Sequence, residues 1–278
     1  MKKINAIIAM LLVTSSIHAQ SFKLKLEKGM KFEVNTSTKT SSSSNSMGQE
    51  INISNELFSK DLFEVKEVES NTIELMKTVT KISFSFETMG QSMSYDSDKK
   101  ENPSAVAEKL DMIKNKIKIF TIDDEGKIIK SNNNFDDLSN IGLMSPSKEE
   151  FPLYISSVTG KEIKVGNSWN DSTTNLVEKT QTTVAGTYTI LAVNNDTKTT
   201  ILQFKGTQKL AGSFEQNGLE MKLIGTNKIN SEFEIDLATG ILNKSTTQIE
   251  GTSTTEVSSM SIPANVKIAI STSVKKIL

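Results

Sequence analysis

The chain has 278 residues, 32 Lys+Arg against 33 Asp+Glu, one histidine and no cysteine, and every basic residue is a lysine. A near-neutral balance without arginine lacks the electrostatic footprint and the bidentate grips of a nucleic-acid binder. The missing cysteines exclude disulfides, thiolate nucleophiles and a lipid anchor at a mature N-terminal Cys.

The N-terminus reads as a secretory signal peptide. Lys2 and Lys3 precede the apolar run Ile4 to Val13, and Ser16-Ile17-His18-Ala19 precedes Gln20. Such a run is too short for a stable membrane-spanning helix, and a small residue closes it. The expected cleavage after Ala19 leaves a mature chain of residues 20–278 with a formal charge of 30 − 33 = −3. It also removes His18, the only histidine, and with it the usual general base, Ser-His-Asp catalysis and imidazole zinc sites. No later stretch is long and apolar enough to predict a transmembrane span. The expected location is therefore the periplasm, the cell surface or the medium.

In chain order, LEKGMKF from Leu26 to Phe32 comes first, followed by STKTSSSSNS from Ser37 to Ser46. The latter is poor in apolar residues and reads as an exposed hairpin tip or a frayed strand end. Ile73, Leu75 and Val79 keep one phase, and Ile82, Phe84 and Phe86 another, with polar residues opposite. Period two with one polar face predicts antiparallel strands. Asn102 as cap and Pro103 at the first position open a helix expected over 102–118, with Val106, Leu110, Ile113 and Ile117 on one face. FTIDDEGKII follows at 120–129, and 134–158 reads as a connector with one or two helical turns. Ser70-Asn71, Asn194-Asn195-Asp196 and Asn217-Gly218 mark hairpin turns, and Val266, Ile268, Ile270, Thr272 and Val274 close the chain in strict alternation.

Several of these segments occur twice. LEKGMKF echoes IKVGNSW from Ile163 to Trp169, Phe63 to Thr80 echoes Tyr188 to Lys205, and FTIDDEGKII echoes FEIDLATGIL from Phe233 to Leu242. Three echoes in one order predict two copies of a β-rich unit, about 20–145 and 146–278, with the helix inserted in the first. The predicted fold is mainly β: two tandem antiparallel meanders forming curved half-barrels or a sandwich in one body, with the helix against a concave face.

Gly-x-x-aromatic near the mature start, Met-Gly-Gln at 47–49 and 89–91, Tyr95-Asp96-Ser97, the helix, FTIDDEGKI and Val165-Gly166-Asn167-Ser168-Trp169 together resemble an exported Bacteroidota family, domain of unknown function 6263. The resemblance implies export and a β-rich fold, and brings no activity or catalytic residue with it. Members often look like lipoproteins, a feature this cysteine-free chain lacks.

Few residues carry chemistry. Asp123-Asp124-Glu125 could supply calcium ligands, but the second copy keeps only Asp236 and Gly240, so a turn is the better reading and no metal or cofactor is expected. Asp96 and Asp98 could form a catalytic carboxylate pair, and three S-x-x-K matches lack their companion motifs. Trp169 reads as a core or edge anchor. Asp171-Ser172-Thr173 resembles an acceptor for O-linked glycans at Ser172. These features favour a non-enzymatic exported binding protein that holds a lipid, another apolar ligand or a partner segment between sheet and helix, with Val106, Leu110, Ile113 and Ile117 lining the cavity. The alternatives are a structural or surface-interaction protein of the envelope and, third, a carboxylate-dependent hydrolase.

Overall fold

The computed structural model describes residues 21–46, 48–99, 105–132, 151–177, 179–216, 219–258 and 260–277. Twelve strands form one antiparallel sheet that does not close. They are β1 (Lys31–Ser46), β2 (Gln49–Val68), β3 (Thr72–Thr88), β4 (Gln91–Asp96), β5 (Ile117–Asp123), β6 (Ile128–Ser131), β7 (Ser168–Val177), β8 (Thr180–Asn194), β9 (Thr199–Gln216), β10 (Leu219–Asp236), β11 (Leu242–Val257) and β12 (Met260–Ile277). One helix, α1 (Ala105–Ile113), lies between β4 and β5. The order across the sheet is β6-β5-β3-β2-β1-β12-β11-β10-β9-β8-β7, with β4 beside the far part of β3. The mainly β, antiparallel meander is thus what forms. Its two halves are joined edge to edge through β1 and β12, over Lys31↔Ile277 to Ser44↔Ala264.

The echoes in the sequence are echoes in the hydrogen bonding. Gly29 N–H donates to Val65 O and Gly166 N–H to Ile190 O, at 2.9 and 2.8 Å. Phe32 faces Phe63 across β1 and β2 as Trp169 faces Tyr188 across β7 and β8. A one-residue bulge follows Val65 in β2 and Ile190 in β8, and Leu75↔Phe120 in the first half matches Leu202↔Phe233 in the second. The halves part company at one place. β10 runs unbroken along β9, whereas its counterpart leaves the sheet after β4, forms α1 and returns as β5. The excursion is pinned to the gap it leaves on β3: Ser97 N–H donates to Ile82 O at 3.0 Å and Asn115 N–H to Val79 O at 2.8 Å.

The expected helix over 102–118 is corrected at its C-terminal end; residues 101–104, with the expected cap, lie outside the described residues. Asn115 takes φ +63°, and Lys116 N–H bonds back to Ile113 O, a left-handed termination of the helix. Ile117 therefore opens β5 and is not on the helix. A second correction concerns Ser37 to Ser46. This segment is the central strand of the sheet, paired on one side with β2 and on the other with β12. Thr36, Thr38 and Thr40 face Ser59, Leu57 and Asn55 on one side and Thr272, Ile270 and Ile268 on the other, so backbone ladders and neighbouring side chains supply what its own side chains lack.

The hairpin tips at 46–49, 88–91, 177–180, 216–219 and 257–260 all lie at one end of the sheet, by the order of the meander. The main core sits at the other end. There the segments 22–26 and 151–163 fill the bend as a plug: Phe22, Leu24, Leu26, Phe151, Leu153 and Val158 are all buried among Phe63, Leu75, Phe120, Ile190, Leu202 and Ile235. Phe63, Phe120 and Phe151 pack ring to ring at 6.1–6.3 Å. Leu75 and Leu202 stand on strands six places apart in the sheet yet belong to this one cluster, so the sheet bends around the plug. The described part of the expected connector, 151–158, is therefore core.

Both echoing turns seat the plug. Asp123 Oδ1 accepts from the Glu125 and Lys127 amides, and Asp236 Oδ1 from the Thr239 amide. Gly126 lies under the Tyr154 ring, and Gly240, at φ +78°, abuts Lys23 O, where an added Cβ would come within 2.5 Å. Gly166, at φ +84°, has open space around it. Gly166→Ala should therefore cost about 1 kcal/mol from the backbone alone, and Gly240→Ala distinctly more, because the obstruction is main chain. Urea unfolding midpoints check this; equal losses at the two positions would refute it.

Candidate functional site

Two of the four residues expected to line a sheet–helix cavity fill that space instead. Leu110 and Ile113 are 0% and 1% exposed and pack with Ala107 on Val79, Ile82, Phe84 and Tyr95. Ile117 is 51% exposed at the start of β5. The side chain of Val106 lies outside the described residues.

What stays open is the strip beside the helix. The buried face of the sheet carries Phe32 and Val34 near the plug, and the same face of β1 continues through Thr36, Thr38, Thr40 and Ser42. Register brings Ile51, Ile53 and Leu57 of β2 alongside on one flank, and Ala264, Val266, Ile268 and Ile270 of β12 on the other. All of these are half-buried. Leu57 leans on the helix cluster, and Ile268 on a third cluster of Phe204, Ile229 and Ile249. Ile51, Ile53, Ile262, Val266 and Ile270 join none of the three clusters. The result is a hydroxyl-lined floor with aliphatic walls, ending at the plug.

The wall beyond β12 is drawn tight by glycine. Gly186 and Gly206 face each other on β8 and β9, and the Phe204 ring lies over both. A Cβ on either would fall within 2.7 Å of that ring and closer still to the neighbouring strand's carbonyl. Glycine pairs capped by an aromatic ring let a sheet bend sharply without exposing its backbone. Behind them Asn227 donates to Gln208 at 2.8 Å, a buried polar contact on the same face.

The opposite face of the sheet is polar, with Lys39–Glu56 at 3.2 Å and Lys60–Glu33 at 3.2 Å among its ion pairs. Two surface depressions open there. One of about 430 Å³ lies over Lys39, Glu56, Gln248 and Lys267, and one of about 490 Å³ over Asn170, Ser172, Ala185 and Thr187. A transmembrane barrel presents an apolar outward band, and this face presents lysine, glutamate and threonine. No helix among the described residues is long and apolar enough to cross a membrane.

The acidic candidates are engaged locally. Asp98 Nα–H bonds Asp96 Oδ1 at 3.0 Å, the main cause holding the Asp96 carboxyl below its usual range. Asp98 is held low chiefly by Lys81 at 2.8 Å and then by Lys114. Two carboxylates kept ionised lack the proton-bearing acid of a glycosidase pair. Lys114 also donates to Ser97 O at 2.6 Å, so these charges tie the helix to the end of β4. In the first turn the Glu125 side chain pairs with Lys127, and Asp123 is occupied by backbone amides. Ser172 is exposed on β7, its amide bonded to Asp171 Oδ1. Trp169 stacks on Tyr188 at 5.6 Å and anchors the start of β7 in the core.

No family model and no curated protein matches the chain. Among solved structures it is similar to lipovitellin, in a structure concerned with lipid–protein interactions, at 10% identity and a TM-score of 0.46 over 90% of this chain. The chain spans 26% of the length of that protein. It is also similar to an outer membrane channel from Pseudomonas putida F1, at 8% identity and a TM-score of 0.26, over 91% of this chain and 98% of that one. Likenesses this distant carry no argument about what this chain does.

One charge was not legible in the sequence. Asp61, on the buried face of β2, is 6% exposed, meets Lys77 at 3.0 Å and leaves Oδ1 without a partner. Burial pushes its carboxyl above the ordinary range, against the pull of Lys77. An ionised Asp61 is therefore a cost at neutral pH, relieved as pH falls through the raised pKa toward the ordinary value near ~4. Glu33, Glu64, Asp96 and Asp98, all lowered, lose their contributions only as pH falls below the ordinary value of each carboxyl. Asp61→Asn should gain stability relative to the parent as pH rises from 4 to 7, read as a growing shift in urea midpoint. A shift that stayed constant across that range would refute the assignment.

Proposed function

We propose that the protein is an exported, non-enzymatic carrier that takes an elongated apolar molecule, such as a lipid acyl chain, on the open strip of β2, β1 and β12. The supporting observation is the set Ile51, Ile53, Ile262, Val266 and Ile270, half-buried on the concave face yet packed into no cluster. Aliphatic walls left without a covering layer gain roughly 25 cal/mol for each Å² that a ligand removes from water. The floor of Thr36, Thr38, Thr40 and Ser42 gives methyl groups and rotatable hydroxyls, compatible with a chain of methylenes carrying occasional polar groups. Export rests on the segment 1–19, which lies outside the described residues.

The helix has a supporting part in this reading. Packed over β3 and β4, it closes one side of the strip, and the glycine-bent wall closes the other. The ligand lies between them, beside the helix and not beneath it.

The test is direct. Protein purified from its native envelope should release lipid on organic extraction, and a fluorescent fatty acid should bind the stripped protein. Ile53→Asp and Val266→Asp should each weaken that probe roughly tenfold or more, the loss of one buried aliphatic contact, while urea midpoints move less than for a core position because neither side chain belongs to a core cluster. Protein that carries no lipid and binds the probe equally well in all three forms would overturn the proposal.

A further inference from the structure

A buried carboxylate stands at the plug end of the strip with one oxygen unused. Among the described residues three buried side-chain atoms have no hydrogen-bond partner, Asp61 Oδ1, Trp169 Nε1 and Asn227 Oδ1, and of these only Asp61 belongs to a strand that lines the strip. Register sets its place. On the buried face β2, β1 and β12 align their residues in rows, and Asp61 shares a row with Val34 and Val274, next to the row of Ser59, Thr36 and Thr272. That second row carries a hydroxyl on all three strands. Toward the hairpin tips the flanks turn aliphatic, through Leu57, Ile53 and Ile51 on β2, interrupted by Asn55, and through Ile270, Ile268 and Val266 on β12. The strip is thus polar beside the plug and mainly aliphatic along its flanks for about 20 Å beyond.

The cation at the polar end is already engaged. Lys77 meets Asp61 Oδ2 at 3.0 Å and lies 5.7 Å from the centre of the Phe63 ring, so Oδ1 is an acceptor in want of a donor. The Asp61 side chain keeps 9% of its surface exposed and is not sealed.

We infer that the ligand of the strip is a single-chain amphiphile whose polar end is a neutral hydrogen-bond donor, a hydroxyl or an amide N–H, lying against Asp61 Oδ1 while its chain runs toward the hairpin tips. The inference rests on the carrier reading above and adds a direction and a head chemistry to it. An ionised carboxylate has no proton to donate and meets Asp61 as a like charge. An ammonium can donate, but it joins Lys77 and, opposite Lys77 on β5, the buried Lys118. A neutral donor meets neither objection. It also gives a use to a group that is costly on its own, because a bound donor restores what the unmet oxygen of a buried carboxylate loses.

Binding titrations with three tail-labelled fluorescent probes of one chain length, an alcohol, a fatty acid and an amine, test this. At mildly alkaline pH the parent should bind the alcohol roughly tenfold or more tighter than either of the others, the worth of a hydrogen bond to a charged acceptor. Asp61→Asn removes the charge at constant shape, and the preference over the acid should there fall to about threefold or less. Ile53→Asp should weaken alcohol and acid alike, since it faces the chain and not the head. Equal binding of alcohol and acid by the parent, tighter binding of the acid or the amine, or a preference that survives Asp61→Asn would each overturn the inference and leave the carrier reading standing. If the parent binds none of the three, the carrier reading falls and this inference falls with it.

Discussion

A single sheet has two faces and no second layer, so its stability depends on how it hides one of them. Here the solution is a plug at one end. Phe22, Leu24 and Leu26 from one segment, and Phe151, Leu153 and Val158 from another, enter the bend and give both halves a shared core. The three phenylalanines at 63, 120 and 151 come from β2, β5 and the plug, so neither β2 nor β5 can shift register without opening that contact. Everything nearer the hairpin tips is free to carry less apolar surface, and β1 does.

That arrangement accounts for where the binding strip can exist. Away from the plug, one flank is covered by α1 and the other folds in at Gly186 and Gly206. Between them the sheet is two-sided and partly wet, and its aliphatic residues stay at intermediate exposure. The hydroxyl floor of β1 is tolerated there because threonine and serine satisfy themselves with solvent or backbone, as a buried strand of the same composition could not.

Much of this was legible. Period-two alternation set the strands, and the paired turns exposed the duplication because an opening Asp and a positive-φ glycine are required by the backbone whatever the other residues do. Around Ser37 to Ser46 side-chain polarity does not mean exposure, because a central strand flanked by Ile and Leu neighbours needs only its ladders. Ile117 fell on the helical face by spacing, but Asn115 ends the helix two residues earlier through a left-handed turn that spacing does not reveal. The role of 151–158 was hidden because a plug has no period of its own. Asp61 gave no signal either, since burial of a charge depends on partners distant in sequence, here Lys77 across a strand pair.

The seam between the halves has a consequence for when the molecule can become itself. Each meander is built from neighbouring hairpins and can form from local contacts, but β1 cannot be enclosed until β12 arrives, and Lys31 waits for Ile277. Contacts of such long sequence separation are slow to find, and an unpaired central strand is exposed while they are sought. A chain delivered from its N-terminus would hold β1 with one bare edge until β12 emerged. The serine-rich, weakly apolar character of that strand then has a meaning in time as well as in space: it keeps the waiting edge soluble.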